Sequence, residues 1–303
     1  DALVNWMSGL DVHIKYERKV KQIVTENGRF TAVILDTGAA FYGRSCILAT
    51  GGRSYPATGS TGDGYRMAEA LGHHVTNIYP ALVPLETKGD LAPSLQGLAM
   101  KNVTASLWIN NKKHSEAFGE MLFTHFGLSG PIILDLSREA VMALERGEKA
   151  DIELDCKPAL DEPTLDARLL RELDTNGRAK VKTMVKNLVP LKMILPLCEL
   201  AELDPEKFCN QVNAAERKKL LRSLKHMRFE VTGHTGWNDA IITSGGIDLK
   251  EVNPSTLESK IVPGLFFAGE VLDLDAATGG YNLQIAWSGG HVAGNAAALQ
   301  SKL

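Results

Sequence analysis

Apolar positions near the start of the chain change their period several times. Leu3, Trp6, Met7 and Leu10 recur at helical spacing, so the sequence opens on a short helix. Val12–Lys15 and Val20–Thr25 then read as strands, and Asn27-Gly28 is a two-residue hairpin signal with Phe30–Asp36 returning as the partner strand. Thr37-Gly38 turns the chain again, into Ser45–Ala49, a short apolar strand that ends at Thr50-Gly51-Gly52. Asp63–Leu71 predicts a helix with an acidic first turn and Gly72 just beyond its end.

The pattern changes character after Pro80. Val103–Ile109 alternates imperfectly, Asn110-Asn111 makes a turn, Glu120–Thr124 and Asp151–Asp155 read as strands, and Ser129-Gly130-Pro131 opens a helix. From Glu162 to Lys225 the spacing is helical, with Pro190, Pro196 and Pro205 expected to break it into short pieces. Strand character resumes at Arg228–Thr232 and Ala240–Thr243. It ends with Leu265–Ala268, a uniformly apolar run of the kind a parallel sheet buries on both faces. Beyond it Leu283, Ala286, Trp287, Gly290, Gly294 and Ala297 keep a helical spacing. The fold expected is α/β. A discontinuous nucleotide-binding unit, residues 1–79 and 240–303, is interrupted by a β-rich substrate unit, 80–158 and 226–239, and a small helical subdomain, 159–225.

Composition narrows the partners. The chain has 303 residues, 44% hydrophobic and 23% charged, which suits a globular protein of about two domains. A formal net charge of −3 offers nothing to draw it to nucleic acid or an anionic membrane. The local exception, Arg217-Lys218-Lys219, Arg222, Lys225 and Arg228 interleaved with Leu220, Leu221 and Leu224, reads as a solvated amphipathic helix. Cys46, Cys156, Cys198 and Cys209 form no CxxC pair and no zinc spacing, as expected of free thiols in a reducing cytoplasm. No apolar run reaches the roughly 18 residues of a membrane span. Metal, Ser-His-Asp and P-loop motifs are absent from the sequence.

The chemistry concentrates near the end of the chain. Glu270 follows the buried strand Leu265–Ala268 directly, at the carboxyl end, where open α/β sheets bind their ligands. Gly279 and Gly280 let backbone approach a ligand without a Cβ in the way, with Asn282 as the expected cap of the helix that comes next. That helix aims free N–H groups and a partial positive charge into the turn, which suits an electron-rich group such as a reduced flavin's pyrimidine edge or a pyrophosphate. His125, in a loop between aromatic residues, is the candidate for catalytic proton chemistry, against the plainer reading that it ties down its loop. His234 invites the same caution, and His73 and His74 are expected to be structural.

The segment Phe266-Phe267-Ala268-Gly269-Glu270-Val271 with Thr278-Gly279-Gly280-Tyr281-Asn282-Leu283-Gln284 also resembles the C-terminal signature of an FAD-dependent flavoprotein family. That family includes aminoacetone-oxidase-like and bile-acid dehydro-reductase-like proteins. Leu48-Ala49-Thr50-Gly51-Gly52 through Gly59-Ser60-Thr61-Gly62-Asp63-Gly64, Phe123 to Pro131, and Thr243-Ser244-Gly245-Gly246 fit it in the same order. The resemblance implies a Rossmann-like FAD-binding domain. In it Val20 would read the adenine edge, and Thr50, Gly51 and Gly52 would approach the adenosine or pyrophosphate. Glu270 would take ribityl hydroxyls, with one of Asp273 and Asp275 sharing the role and the other a solvated loop residue; Gly279, Gly280, Tyr281, Asn282 and Gln284 would lie at the pyrimidine edge; and Gly245, Gly246 and Gly269 complete the set. It implies hydride transfer between a small organic substrate and FAD, with O2 or NAD(P)H as the other partner.

The match has one departure. The family's N-terminal strand–GxGxxG–helix, which seats the FAD pyrophosphate, is missing here. The chain is therefore expected to lack roughly the first hundred residues, the span of a βαβ unit and its adjoining segment. Two alternatives stand beside the enzyme: an inactive apo-fragment without its pyrophosphate cradle, and a tRNA-modification flavoprotein that binds RNA.

Overall fold

The computed structural model describes residues 2–300. Helix α1 (Ala2–Ser8) opens the chain and buries none of its residues. Val12–Lys15, expected as a strand, forms none: Val12 and Ile14 are exposed, and no neighbouring strand pairs with them. A strand needs a partner as much as a pattern. Strands β1 (Val20–Glu26), β2 (Arg29–Leu35) and β3 (Ala40–Tyr42) make an antiparallel sheet. Its first turn has Asn27 at φ 51 and Gly28 at φ 78, the two positive angles of a type I′ hairpin.

Next come β4 (Cys46–Leu48), α2 (Asp63–Ala70), β5 (Tyr79–Ala81), β6 (Leu85–Thr87), α3 (Leu91–Ser94), β7 (Ala99–Ile109), β8 (Lys112–Phe123), β9 (Gly127–Ser129), α4 (Pro131–Glu145) and β10 (Ala150–Asp155). Strands β6 to β10 join β11 (Met227–His234) in a closed barrel of order β10-β11-β6-β9-β8-β7. Strand β8 begins at Lys112, well before the expected Glu120. The inward positions of its first half are Ser115, Ala117 and Gly119, too small to register as an apolar alternation. The reason is close packing, since a Cβ on Gly119 would lie 2.8 Å from Ile132 Cγ2 of α4. Val103, Ala105, Leu107, Phe123, Leu128 and Ile152 fill the barrel, and α4 lays Ile133 and Ala140 into the same core.

Helices α5 (Glu162–Thr175), α6 (Val181–Val185), α7 (Ile194–Leu200) and α8 (Ala214–Lys225) extend that core through Leu165, Leu169, Leu197 and Leu224. Pro196 does not break the helical run as expected. It sits in the first turn of α7, where its missing N–H has no intrahelical acceptor to lose. Asn213 starts α8 with a capping box to Glu216. Much of the basic cluster on α8 is neutralised: Arg217 pairs with Asp166, Lys219 with Glu202 and Lys225 with Asp155.

A second core, in the unit expected to bind a nucleotide, is built from Ile23, Phe30, Leu48, Tyr65, Leu265 and Phe267. Strand β12 (Ile242–Ser244) is antiparallel to β5. It does not extend the parallel pair made by β13 (Leu265–Phe267), which is wholly buried and runs beside β4 with Phe266 opposite Ile47. Helix α9 (Tyr281–Gln300) crosses behind β13, but its stripe is only partly buried. The small residues Ala293 and Ala297 pack on Phe266 and Ala268, whereas Leu283 is 68% and Trp287 57% exposed.

Candidate functional site

Strands β4 and β13 end side by side, and the loops leaving them meet. Glu270, in a 3-10 turn over Gly269–Val271, turns its carboxylate back into the protein. Its Oε1 accepts the Thr243 N–H at 2.8 Å and the Ser54 hydroxyl at 2.9 Å. Thr243 Oγ1 in turn accepts the N–H groups of Arg53 at 2.7 Å and Ser54 at 3.1 Å. Gly52 makes this junction possible, because a Cβ there would lie 2.3 Å from Thr243 Oγ1 and 2.4 Å from Glu270 Oε1. Tyr65 donates to the Glu270 carbonyl at 3.3 Å, and burial first, then the Glu270 charge, pushes its hydroxyl pKa far up. Thr50, Gly51, Gly52, Gly269 and Glu270 thus converge at the ends of one parallel strand pair. Ser54 and Thr243, which complete the network, lie inside segments that carry the family resemblance, yet nothing local sets one hydroxyl apart from its neighbours.

The loop from Leu272 to Gly280 leads into α9. The first hydrogen bond of that helix runs from Gln284 N–H to the Gly280 carbonyl, 3.1 Å, so the N–H groups of Tyr281, Asn282 and Leu283 precede its ladder. Asn282 is not the cap expected of it. It lies inside the helix, accepting the Ala276 N–H at 2.9 Å and donating to the Ala276 carbonyl at 2.7 Å, which folds the loop back on the helix start. Gly279 and Gly280, at φ 111 and 87, take backbone conformations that side chains resist. A Cβ on Gly280 would meet nothing within 4 Å. The pair faces a cavity of about 350 Å³ lined also by Glu270, Asn282, Leu82 and Ile242.

Two residues of α4 reach this loop, and neither stands out in the sequence. Asp135 Oδ1 accepts the Thr278 N–H at 2.8 Å, and its Oδ2 accepts the Thr278 hydroxyl at 3.3 Å. Arg138 donates from Nε to Ser244 Oγ at 2.9 Å and sets its Nη1 3.4 Å from Asp275 Oδ1. The signal available was a carboxylate within the apolar run Ile132–Leu136, which an amphipathic reading assigns to solvent.

Other expected site residues lie apart. Gly245 and Gly246 are buried where backbones cross, a Cβ on Gly245 lying 2.2 Å from the Asn77 carbonyl oxygen and one on Gly246 2.7 Å from the Leu272 carbonyl carbon. Asp273 lines a separate cavity of about 280 Å³ with Arg138 and Gly245. Val20 lines a third, about 620 Å³, between β1 and α2. Tyr281 is exposed, and Gln284 donates to Ser288 on its own helix at 3.0 Å. His125 is exposed at the turn between β8 and β9, its ring against Phe126 at 4.9 Å, and does not line the glycine cavity. His234 accepts the Gly236 N–H at 3.1 Å, closing its own turn.

His73 has fuller partners than any of these. Its Nδ1 lies 3.2 Å from Glu251 Oε2 and its Nε2 2.9 Å from Ser259 Oγ. The Ser-His-Glu line is a staple rather than a nucleophile: Ser259 is buried, and its oxygen already accepts the N–H groups of Ile261 at 3.0 Å and Val262 at 2.7 Å. Burial lowers the His73 pKa, with Glu251 opposing it. Among the described residues no cluster of His, Cys, Asp and Glu could hold a metal ion, and no helix is long and apolar enough to cross a membrane.

A parallel strand pair with its loops converging on a glycine turn ahead of a helix defines a nucleotide-binding unit of the Rossmann type, here joined to a closed barrel. The chain belongs to the HI0933-like family, whose Rossmann-domain model matches residues 1–296. It is 32% identical over 266 residues to the 3-dehydro-bile acid delta(4,6)-reductase of Clostridium scindens, covering 88% of this chain and 65% of that protein. It is 31% identical over 290 residues to the ribosomal RNA dihydrouridine synthase of Escherichia coli, covering 95% of this chain and 68% of that one. The chain thus spans about two thirds of the length of these curated relatives. Among solved structures, a quinol-fumarate reductase with menaquinol molecules gives a TM-score of 0.40 at 15% identity, over 99% of this chain and 48% of its own, too remote to carry an argument.

Proposed function

We propose that this protein is an FAD-dependent oxidoreductase that reduces a carbon–carbon double bond conjugated to a carbonyl. The observation that carries the reading is the cavity beneath the Gly279-Gly280 turn, with the N-terminus of α9 on one side and Glu270 on another. The residues present suit the electron-rich edge of a flavin ring. Gly280 leaves space where any side chain would fill it, and the helix start supplies unpaired N–H groups with partial positive charge. Among the described residues no strand–GxGxxG–helix forms a pyrophosphate cradle, so the fit rests on the ring end of the cofactor. When bound, FAD would supply the two-electron hydride chemistry, recharged by NAD(P)H.

The chain's own residues do the rest. The helix start stabilises negative charge at its turn, Gly279 and Gly280 allow backbone to come close, and Glu270 is held rigid by Thr243 and Ser54 through Oε1. Leu82, Ile241, Ile242 and Leu283 give the cavity an apolar wall that limits water.

Direction and substrate class come from the relatives. A bile-acid delta(4,6)-reductase and a dihydrouridine synthase share one transformation, addition of hydrogen across a double bond conjugated to a carbonyl. That favours the reductase direction over the oxidase one. A small-molecule acceptor is the first reading, because the net charge is −3 and the basic face of α8 is largely paired to acids. The free thiols of all four cysteines support a reducing compartment such as the cytoplasm. RNA as acceptor is the second reading, favoured by the relative named as a ribosomal RNA enzyme. The test is to supply the full-length protein with FAD and NADPH, then offer cyclic enones and unmodified ribosomal RNA in parallel. NADPH consumption with enones alone supports the first reading, and dihydrouridine in the RNA supports the second. A protein that binds FAD yet oxidises NADPH with neither acceptor sinks both.

A further inference from the structure

We infer that Asp135 and Arg138 of the barrel helix α4 are positioning residues for the glycine turn, so that the barrel sets the geometry of the cofactor edge. The inference rests on the reading of the Gly279-Gly280 turn as the flavin-edge site. Its first observation is how little else holds the loop beyond its upstream end, where Asp273 N–H bonds to the Ile247 carbonyl at 3.1 Å. Leu274 N–H bonds to Leu272, Ala276 bonds to Asn282 of α9, and Gln284 bonds back to Gly280, all within the segment itself. Among the described residues from Leu274 to Gly280, the hydrogen bonds and ion pairs that leave the segment and its helix go to α4. Asp135 takes the N–H and the hydroxyl of Thr278, and Arg138 faces Asp275.

The second observation is chemical. Asp135 uses both carboxylate oxygens on one residue, which restrains Thr278 in orientation as well as in place. Thr278 immediately precedes the two glycines, which are the least restrained residues a backbone can have. A bidentate anchor one residue upstream therefore fixes where the glycine turn starts, so that Gly279 and Gly280 must span a set gap to α9. Arg138, one turn further along α4, ties the same loop to Ser244, and the side chain of Asp275 is only 8% exposed. Both residues project from a helix whose other face is locked in the barrel core through Ile133, Ala140 and Val141. A shift of the barrel on the nucleotide unit would therefore move the turn, and a barrel held still keeps the turn's N–H groups aligned.

The test compares wild type with Asp135→Asn, which keeps the shape and removes the charge, and with Thr278→Ser, which keeps the hydroxyl. Amide hydrogen exchange on the cofactor-free full-length protein comes first. Asp135→Asn should speed exchange of Thr278 to Tyr281 by roughly tenfold, the scale of one charge-assisted hydrogen bond, and leave β7 and β10 unchanged. Unchanged exchange at the turn overturns the inference whether or not flavin binds. The second readout is the reduction potential of bound FAD in Thr278→Ala, which loses the hydroxyl bond to Asp135 without changing any charge: it should fall as misaligned N–H groups stabilise the reduced ring less, and stay near wild type in Thr278→Ser. A potential unmoved by Thr278→Ala, despite faster exchange at the turn, reduces the pair to loop staples and also overturns it. Wild type that binds no FAD while the exchange effect holds would instead sink the reading of the site and leave the clamp standing.

Discussion

At the scale of single residues, the site depends on a side chain that is absent. Gly52 lies where the turn after β4, the Thr243 side chain of β12 and the Glu270 carboxylate press together, and a methyl group there would overlap two hydrogen-bonded oxygens. Gly52→Ala is expected to cost about 1–3 kcal/mol and to weaken flavin retention, measured as the urea midpoint and as yellow colour after gel filtration. His73 acts through protonation. Its folded pKa lies below the ordinary value of 6.5, so on acidification the unfolded chain takes up the proton first. Its contribution to stability is therefore complete above about 6.5 and drains away as pH falls toward the lowered value. Melting temperature should drop between neutral pH and pH about 5 in wild type, and the drop should be shallower in His73→Asn. Equal slopes in the two proteins would remove His73 from the account.

At the scale of elements, close approach again decides. Strand β9 has only three residues, yet it bridges β6 and β8 and closes the barrel. It fits because Gly127 has no Cβ; one would lie 2.3 Å from the Leu85 carbonyl oxygen and 2.8 Å from the Thr87 N–H nitrogen. Gly127→Ala is expected to lower stability by about 1–3 kcal/mol or more, since backbone rather than a flexible side chain must yield. Exchange should rise in β6 and β9 ahead of β10, and an unchanged urea midpoint would show that the strands separate freely. The hairpin of β1 and β2, the cap of α8 and the start of α4 at Gly130-Pro131 obey local rules. The hairpin and the α4 start were legible in the sequence for that reason. Strand β8 was legible only in its second half, because Ser115, Ala117 and Gly119 are chosen to admit α4 rather than to repel water.

At the scale of the whole molecule, the barrel and the helices α5 to α8 share one core, while β1, β2, β4, β13 and α2 share another. Calorimetry of the full-length protein is expected to show two transitions, the lower from the smaller core, and FAD should raise that one preferentially. A single transition that moves as a unit would mean that α4 and the loop before α9 couple the two more tightly than their separate cores imply. Thiol chemistry should be muted in the native state, because burial pushes Cys46 and Cys198 up to about 11 and Cys156 up to about 12, with Asp155 adding to the last. All four should react quickly only after unfolding.

What the sequence determined by itself were the features that short-range physics controls. These include the I′ turn at Asn27-Gly28, the buried parallel strand at Leu265, the glycine turn before α9 and the acid at position 270. Tertiary structure decided the features that depend on what stands opposite. It left Val12–Lys15 without a partner strand, set Asn282 inside its helix, and turned Glu270 Oε1 toward Thr243 and Ser54. It also brought Asp135, more than a hundred residues away in the chain, onto Thr278. A local pattern records which residues avoid water. It carries no record of which distant backbone N–H will need an acceptor, and only the packed molecule supplies that pairing.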